Sequence, residues 1–141
     1  MKENRYDDQE FFDRYAEMAR SRKGLSGAGE WPVLKEMLPD LQGCRMLDLG
    51  CGYGWHCRCA VDQGASAVVG IDISERMLQK AKQLGDDPRI TYVRTAMEDV
   101  CFPPESFDVV ISSLAFHYVE DLQPLFRAVF RMLAPGGKFV F

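Results

Sequence analysis

Apolar residues cluster in short runs along this chain, and stretches of helical spacing lie between the runs. Met46-Leu47-Asp48-Leu49 is one run, and Ala67-Val68-Val69-Gly70-Ile71 is a second. The pattern predicts strands at about 45–49, 67–71, 90–94 and 107–112, with a fifth beginning at Lys138. Between them it predicts a helix from near Tyr53 that ends by Gly64, a second from Ser74 as N-cap through about Leu84, and a third over about 121–133. Ser74 lacks the Glu or Gln of a full capping box three positions on, but Glu75 suits the positive end of the helix. Pro135-Gly136-Gly137 reads as a helix stop and a turn into strand five.

Ahead of this alternation lies a segment of different character. From Tyr6 to Arg22, the residues Phe11, Phe12, Tyr15, Met18 and Ala19 fall near helical spacing and predict an amphipathic helix. Gly24-Leu25-Ser26-Gly27-Ala28-Gly29 breaks it, and Trp31 to Met37 predicts a short second helix with Pro32 in its first turn. The organisation expected is an N-terminal helical cap over residues 1–43 and a core over 44–141. Strands alternating with helices at these spacings imply an α/β fold, a doubly wound, mostly parallel sheet with helices on both faces. Ligands of such sheets bind beyond the carboxyl ends of the strands.

The chemistry is concentrated at those ends. Gly50, Gly52 and Gly54 follow the first strand directly, where absent β-carbons let backbone N–H groups approach a ligand. Asp72 ends the second strand, beside the glycine loop, where a carboxylate accepts from both hydroxyls of a ribose. The spacing departs from the dinucleotide fingerprint, because Trp55 follows Gly54 and stands in place of the last small residue. Asp48 adds negative charge where a pyrophosphate would sit, so a cofactor bearing an ammonium or sulfonium fits better than NAD or FAD.

These residues resemble the class I S-adenosylmethionine-dependent methyltransferases. Leu47-Asp48-Leu49-Gly50-Cys51-Gly52-Tyr53-Gly54 is similar to the family's first motif, and Val69-Gly70-Ile71-Asp72-Ile73-Ser74 to its acidic segment. Glu98-Asp99-Val100-Cys101-Phe102, Ser106 to Ser112, and Leu133-Ala134-Pro135-Gly136-Gly137 follow in the family's order, so the resemblance covers roughly residues 44 to 141. It implies a Rossmann-like fold whose C-terminal hairpin is missing after strand five. Lys138-Phe139-Val140-Phe141 would then form an unprotected edge, and a longer parent chain is expected.

The resemblance also implies roles. Asp48 holds the amino group of the methionine moiety, directly or through water, and Gly50, Cys51, Gly52 and Gly54 form the cofactor loop. Ile73 packs on the adenine and on the core, Met97 and Glu98 meet the adenine edge, and Ser113 and Leu114 meet the methionine part through their backbone. Ala96 replaces the family's usual acidic residue before Met97. Tyr15 and Arg20 lie in the segment that folds over the cofactor in similar enzymes, Arg20 facing either the methionine carboxylate or solvent. His117 is either a general base for the acceptor or a packed residue among aromatics. His56 reads as solvated or cofactor-flanking.

Composition narrows the rest. A formal charge of −4 with no basic block gives no electrostatic footprint for nucleic acid. Ser112-Ser113-Leu114-Ala115 also lacks the Asn/Asp-Pro-Pro-aromatic motif of the family's nucleic-acid branches, which favours a small-molecule acceptor. No apolar run is long enough to span a membrane and the first residues lack a signal-peptide core, so a cytoplasmic protein is expected. Five cysteines, an odd number, read as reduced thiols. His56-Cys57-Arg58-Cys59 offers too few ligands on one helical face for zinc, and no metal is expected. The leading expectation is methyl transfer from S-adenosylmethionine, releasing S-adenosylhomocysteine. A domain that binds either compound without turnover, and more weakly an NAD-dependent oxidoreductase, are the alternatives, while oligomeric state is not legible.

Overall fold

A computed structural model describes residues 7–10, 12, 31–113 and 119–141. Helix α1 spans Trp31–Met37, and Arg45–Leu49 forms β1. Then come α2 (Trp55–Asp62), β2 (Ala67–Asp72), α3 (Glu75–Leu84), β3 (Ile90–Arg94) and a 3-10 turn at Met97–Asp99. Strand β4 (Phe107–Ile111), helix α4 (Leu122–Met132) and β5 (Leu133–Val140) complete the order. The five strands lie in the order β3-β2-β1-β4-β5, with every neighbouring pair parallel. Winding proceeds outward from β1 in one direction and from β4 in the other. The crevice between the tips of β1 and β4 is therefore the switch point of the sheet.

Alternation along the strands decides which side chains face which layer. Met46, Val68, Val109 and Ile111 pack with Leu34 of α1, Cys57, Ala60 and Val61 of α2 and Leu78 of α3. Leu47, Leu49, Ile71 and Val110 point the other way, against Leu125, Val129 and Met132 of α4. Helices thus cover both faces, as parallel sheets require. At the opposite end from the glycine loop, Asp108 accepts from the backbone and guanidinium of Arg45 at 2.9–3.1 Å, which fixes β1 against β4. None of the helices among the described residues is long and apolar enough to cross a membrane.

Several element limits differ from the expectation for physical reasons. Helix α2 begins at Trp55 rather than Tyr53 because Gly54, with φ 78°, is its left-handed N-cap. Strand β5 begins at Leu133, directly after α4, rather than at Lys138. Leu133 pairs with Phe107 and Lys138 with Val109, so the Pro-Gly-Gly segment bulges within the strand instead of preceding it. Ser74 caps α3 as expected, its side chain accepting from the Met77 N–H. Of the predicted Tyr6–Arg22 helix, only Asp7–Glu10 and Phe12 lie within the described residues.

Candidate functional site

The site is built on the turn that follows β1. Gly50 and Cys51 both donate their N–H to the Ile71 carbonyl, at 2.9 and 2.8 Å, so the chain leaves β1 still fastened to β2. Gly50, Gly52 and Gly54 all have positive φ. At Gly54 space is as restrictive as torsion, since a β-carbon would lie 2.5 Å from the Tyr92 hydroxyl and 2.9 Å from the Arg58 guanidinium. The N-cap of α2 is Gly54, which brings no side chain of its own to the helix start.

Two carboxylates flank that helix start. Asp72 is tied across to the glycine loop, its Oδ2 accepting from the Gly52 N–H at 2.9 Å and its Oδ1 from the Ser74 N–H at 2.9 Å. Burial raises its pKa above the ordinary carboxylate value, and these backbone bonds oppose the rise. Asp48 is 1% exposed, on the sheet face covered by α2. Its Oδ2 accepts from the Cys57 thiol at 3.5 Å. Burial pushes the Asp48 carboxyl up to about 7, the Cys57 bond lowers it, and the Asp72 charge adds to the rise. Cys51 and Cys57 are buried with raised thiol pKa values. Their sulfurs fill the space above Gly70, where a β-carbon would lie 2.9 Å from each.

Other predicted residues ring the same end of the sheet. Ile73 is half-buried after β2, and its carbonyl accepts from Arg94 Nε at 3.1 Å. In the turn after β3, Met97 is half-buried and Glu98 exposed. Ser113 follows β4 and is half-buried, while Ser112 fastens β4 to β1 by donating to the Leu49 carbonyl at 3.1 Å. Leu114, His117, Tyr15 and Arg20 lie outside the described residues. Within the His56-Cys57-Arg58-Cys59 stretch, Cys57 turns to Asp48 while Cys59 accepts from Gln63. No cluster of metal-ligating side chains occurs among the described residues.

Sequence reasoning missed three contributors. Cys57 and Tyr92 act behind the glycine loop, the first as donor to Asp48 and the second as a wall against Gly54. Period-two spacing in β3 and the one-turn offset of Cys57 into α2 are the only signals for them. Asp7 is the third. Its Oδ1 accepts from Ser74 Oγ at 2.6 Å and from the Arg76 N–H at 3.2 Å. Nearby, Phe12 meets Tyr53 edge-on with ring centroids 6.2 Å apart, and the Arg76 guanidinium lies 6.0 Å from the Phe12 ring centre.

Comparison with known proteins agrees with this geometry. A family model described as a methyltransferase domain matches residues 47–141. An S-adenosylmethionine-dependent methyltransferase from Mesorhizobium loti is 53% identical, with a TM-score of 0.80 over 82% of this chain and 54% of that one. An uncharacterized protein of Haemophilus influenzae is 35% identical over 96% of this chain and 56% of its own length. The malonyl-[acyl-carrier protein] O-methyltransferase of Enterobacter lignolyticus is 36% identical over 77% of this chain and 42% of its own length. The chain spans about half the length of the relatives it matches. With its parallel Rossmann-like sheet and its glycine loop, the chain belongs to the class I S-adenosylmethionine-dependent methyltransferase family.

Proposed function

We propose that the protein binds S-adenosylmethionine at the tips of β1 and β2 and transfers its methyl group to a small-molecule acceptor. The observation that carries this reading is the glycine turn that opens α2 between two carboxylates, Asp48 and Asp72. That arrangement matches a ligand with one carboxylate, one ammonium and a ribose diol. It disfavours a pyrophosphate, which would meet both negative side chains.

When bound, S-adenosylmethionine supplies an electrophilic methyl carbon on a sulfonium, and the acceptor's lone pair forms the new bond as the C–S pair returns to sulfur. The protein's part is placement and exclusion of water. The first-turn N–H groups of α2 receive the amino-acid carboxylate. Asp48, once ionised, receives the ammonium, and Cys51, Gly50 and Gly52 keep the loop close to it. Asp72 receives the ribose hydroxyls on the lone pairs that Gly52 and Ser74 leave free. Ile73 packs on one adenine face, and Met97 and Glu98 meet its edge. Ser113 contributes backbone groups to the methionine side, with Leu114 after it. Tyr15 and Arg20 belong to the covering segment, and His117 takes the acceptor's proton.

Calorimetric titration with S-adenosylmethionine, S-adenosylhomocysteine and NAD tests the cofactor. Selective binding of the two sulfur nucleotides, lost in Asp72→Ala, is the expected result. Equal or tighter binding of NAD would overturn it. Turnover on a panel of hydroxyl, amine and carbon acceptors then separates an enzyme from a binding module.

A further inference from the structure

Arg58 stands where its own helix does not favour it. It lies in the first turn of α2, whose positive end repels a cation. Among the described residues no carboxylate pairs with its guanidinium, and Nη2 is buried without a hydrogen-bond partner. A neutral side chain of the same length would fill this space at a lower electrostatic cost. What the guanidinium reaches are parts of the fold far apart in sequence. Nη1 donates to the Ala81 carbonyl at 3.2 Å, in the last turn of α3, where a helix end favours a cation. Cζ lies 4.6 Å from the centre of the Trp55 ring. Nη1 and the Tyr92 hydroxyl of β3 also crowd Gly54 together, within 2.9 and 2.5 Å of the place a β-carbon would take. Burial raises the Tyr92 pKa and the Arg58 charge opposes the rise, so the hydroxyl stays neutral beside the cation.

The glycine turn is thus held from two sides. Gly52 is fastened to Asp72 on the side of β2, and Gly54 is backed by Arg58 and Tyr92 on the side of β3. We propose that Arg58 is a positioning residue: braced by Trp55, Tyr92 and the Ala81 carbonyl, its guanidinium sets the Gly54 end of the turn, and with it the start of α2, for the amino-acid end of the cofactor. This assignment rests on the cofactor reading above. Trp55, which stands where a dinucleotide fold places a small residue, is the shelf under the guanidinium. Because Asp72 is tied to Gly52 and Ser74 by bonds of its own, loss of Arg58 leaves the ribose carboxylate in place. Arg58 therefore acts on one end of the ligand and not on the other.

The test compares two ligands, S-adenosylhomocysteine and 5′-methylthioadenosine, which share the nucleoside and the sulfur but of which only the first carries an ammonium and a carboxylate. Their affinities are measured by calorimetry for the unaltered protein, Arg58→Met, Arg58→Lys and Tyr92→Phe, with urea unfolding of each. Arg58→Met should weaken S-adenosylhomocysteine about tenfold and 5′-methylthioadenosine by less than about twofold. Arg58→Lys should fall between, since a compact ammonium cannot span the Ala81 carbonyl and Tyr92 together. Tyr92→Phe should weaken S-adenosylhomocysteine about threefold, and should add little to Arg58→Met, because the two groups act as one unit. A merely structural role lowers stability and leaves the ratio of the two affinities where it was. An unchanged ratio in the Arg58 variants and in Tyr92→Phe overturns the assignment alone. Should Arg58→Met not fold, Arg58→Lys and Tyr92→Phe decide by the same ratio. Failure of the unaltered protein to bind either ligand overturns the cofactor reading, and the role of Arg58 with it.

Discussion

Asp48 should make this protein less stable as pH rises toward neutrality, and replacing it with Asn should remove that trend. The side chain is 1% exposed, and its carboxyl is pushed from 3.8 up to about 7, chiefly by burial. Between those values the unfolded chain has released a proton that the folded chain still holds, so stability falls with rising pH. Above about 7 the folded state ionises too and the full cost is in place, about 4 kcal/mol for a displacement of this size. Asn carries no charge in either state. Urea unfolding of the protein and of Asp48→Asn at pH 5, 6, 7 and 8 should show the difference moving in favour of Asn by about 2–3 kcal/mol. Most of that change should fall between pH 5 and 7. Parallel stability curves would refute the argument, because they would mean that Asp48 is ionised at the same pH folded and unfolded. Binding should run the opposite way. A cationic cofactor selects the ionised carboxylate, so its affinity should rise with pH and level off above about 7, by at most about tenfold per pH unit. Asp48→Asn should lose that dependence together with much of the affinity.

Four further substitutions test the packing around the site. Cys57→Ala removes the thiol donor to Asp48 and should move the midpoint of the binding pH profile upward, read by titration calorimetry across pH. Gly54→Ala combines a φ of 78° with a β-carbon 2.5 Å from the Tyr92 hydroxyl, and should cost about 2 kcal/mol or more in urea unfolding. Adding Tyr92→Phe to Gly54→Ala should recover part of the steric cost and none of the torsional cost. Val129→Ala, fully buried between α4 and the sheet, should cost about 1–3 kcal/mol without changing cofactor affinity, since it lies on the face away from Asp48.

Local rules carry much of this architecture. Strands β1 and β3 fall where short apolar runs predict them, and Ser74 announces α3 because its hydroxyl satisfies an N–H that the helix itself leaves bare. The pairing of a glycine turn with Asp72 is legible for the same reason, since a parallel sheet sets consecutive strand tips side by side. What escapes is set at long range. Pro135-Gly136-Gly137 carries turn chemistry, but parallel pairing of Leu133 with Phe107 draws the chain into the sheet before that turn occurs. Asp7 and Ser74 are 67 positions apart, and an acidic residue in a polar stretch gives no sign of its partner. Nor does the sequence announce that a thiol one turn into α2 is the donor to Asp48.

The sulfur atoms above Gly70 tie two stretches of the chain into one evolutionary unit. Because Cys51 and Cys57 occupy the volume that a β-carbon at position 70 would claim, a side chain there can be accepted only where the thiols have first been traded for something smaller. Relatives that carry Ala or Ser at the position of Gly70 should therefore carry smaller residues in place of both cysteines. Gly70→Ala introduced alone should be harmful, and only smaller residues at both Cys51 and Cys57 should relieve most of the clash. The two sulfurs thus count here as volume, and the room they leave is set by the residue that faces them across the strand.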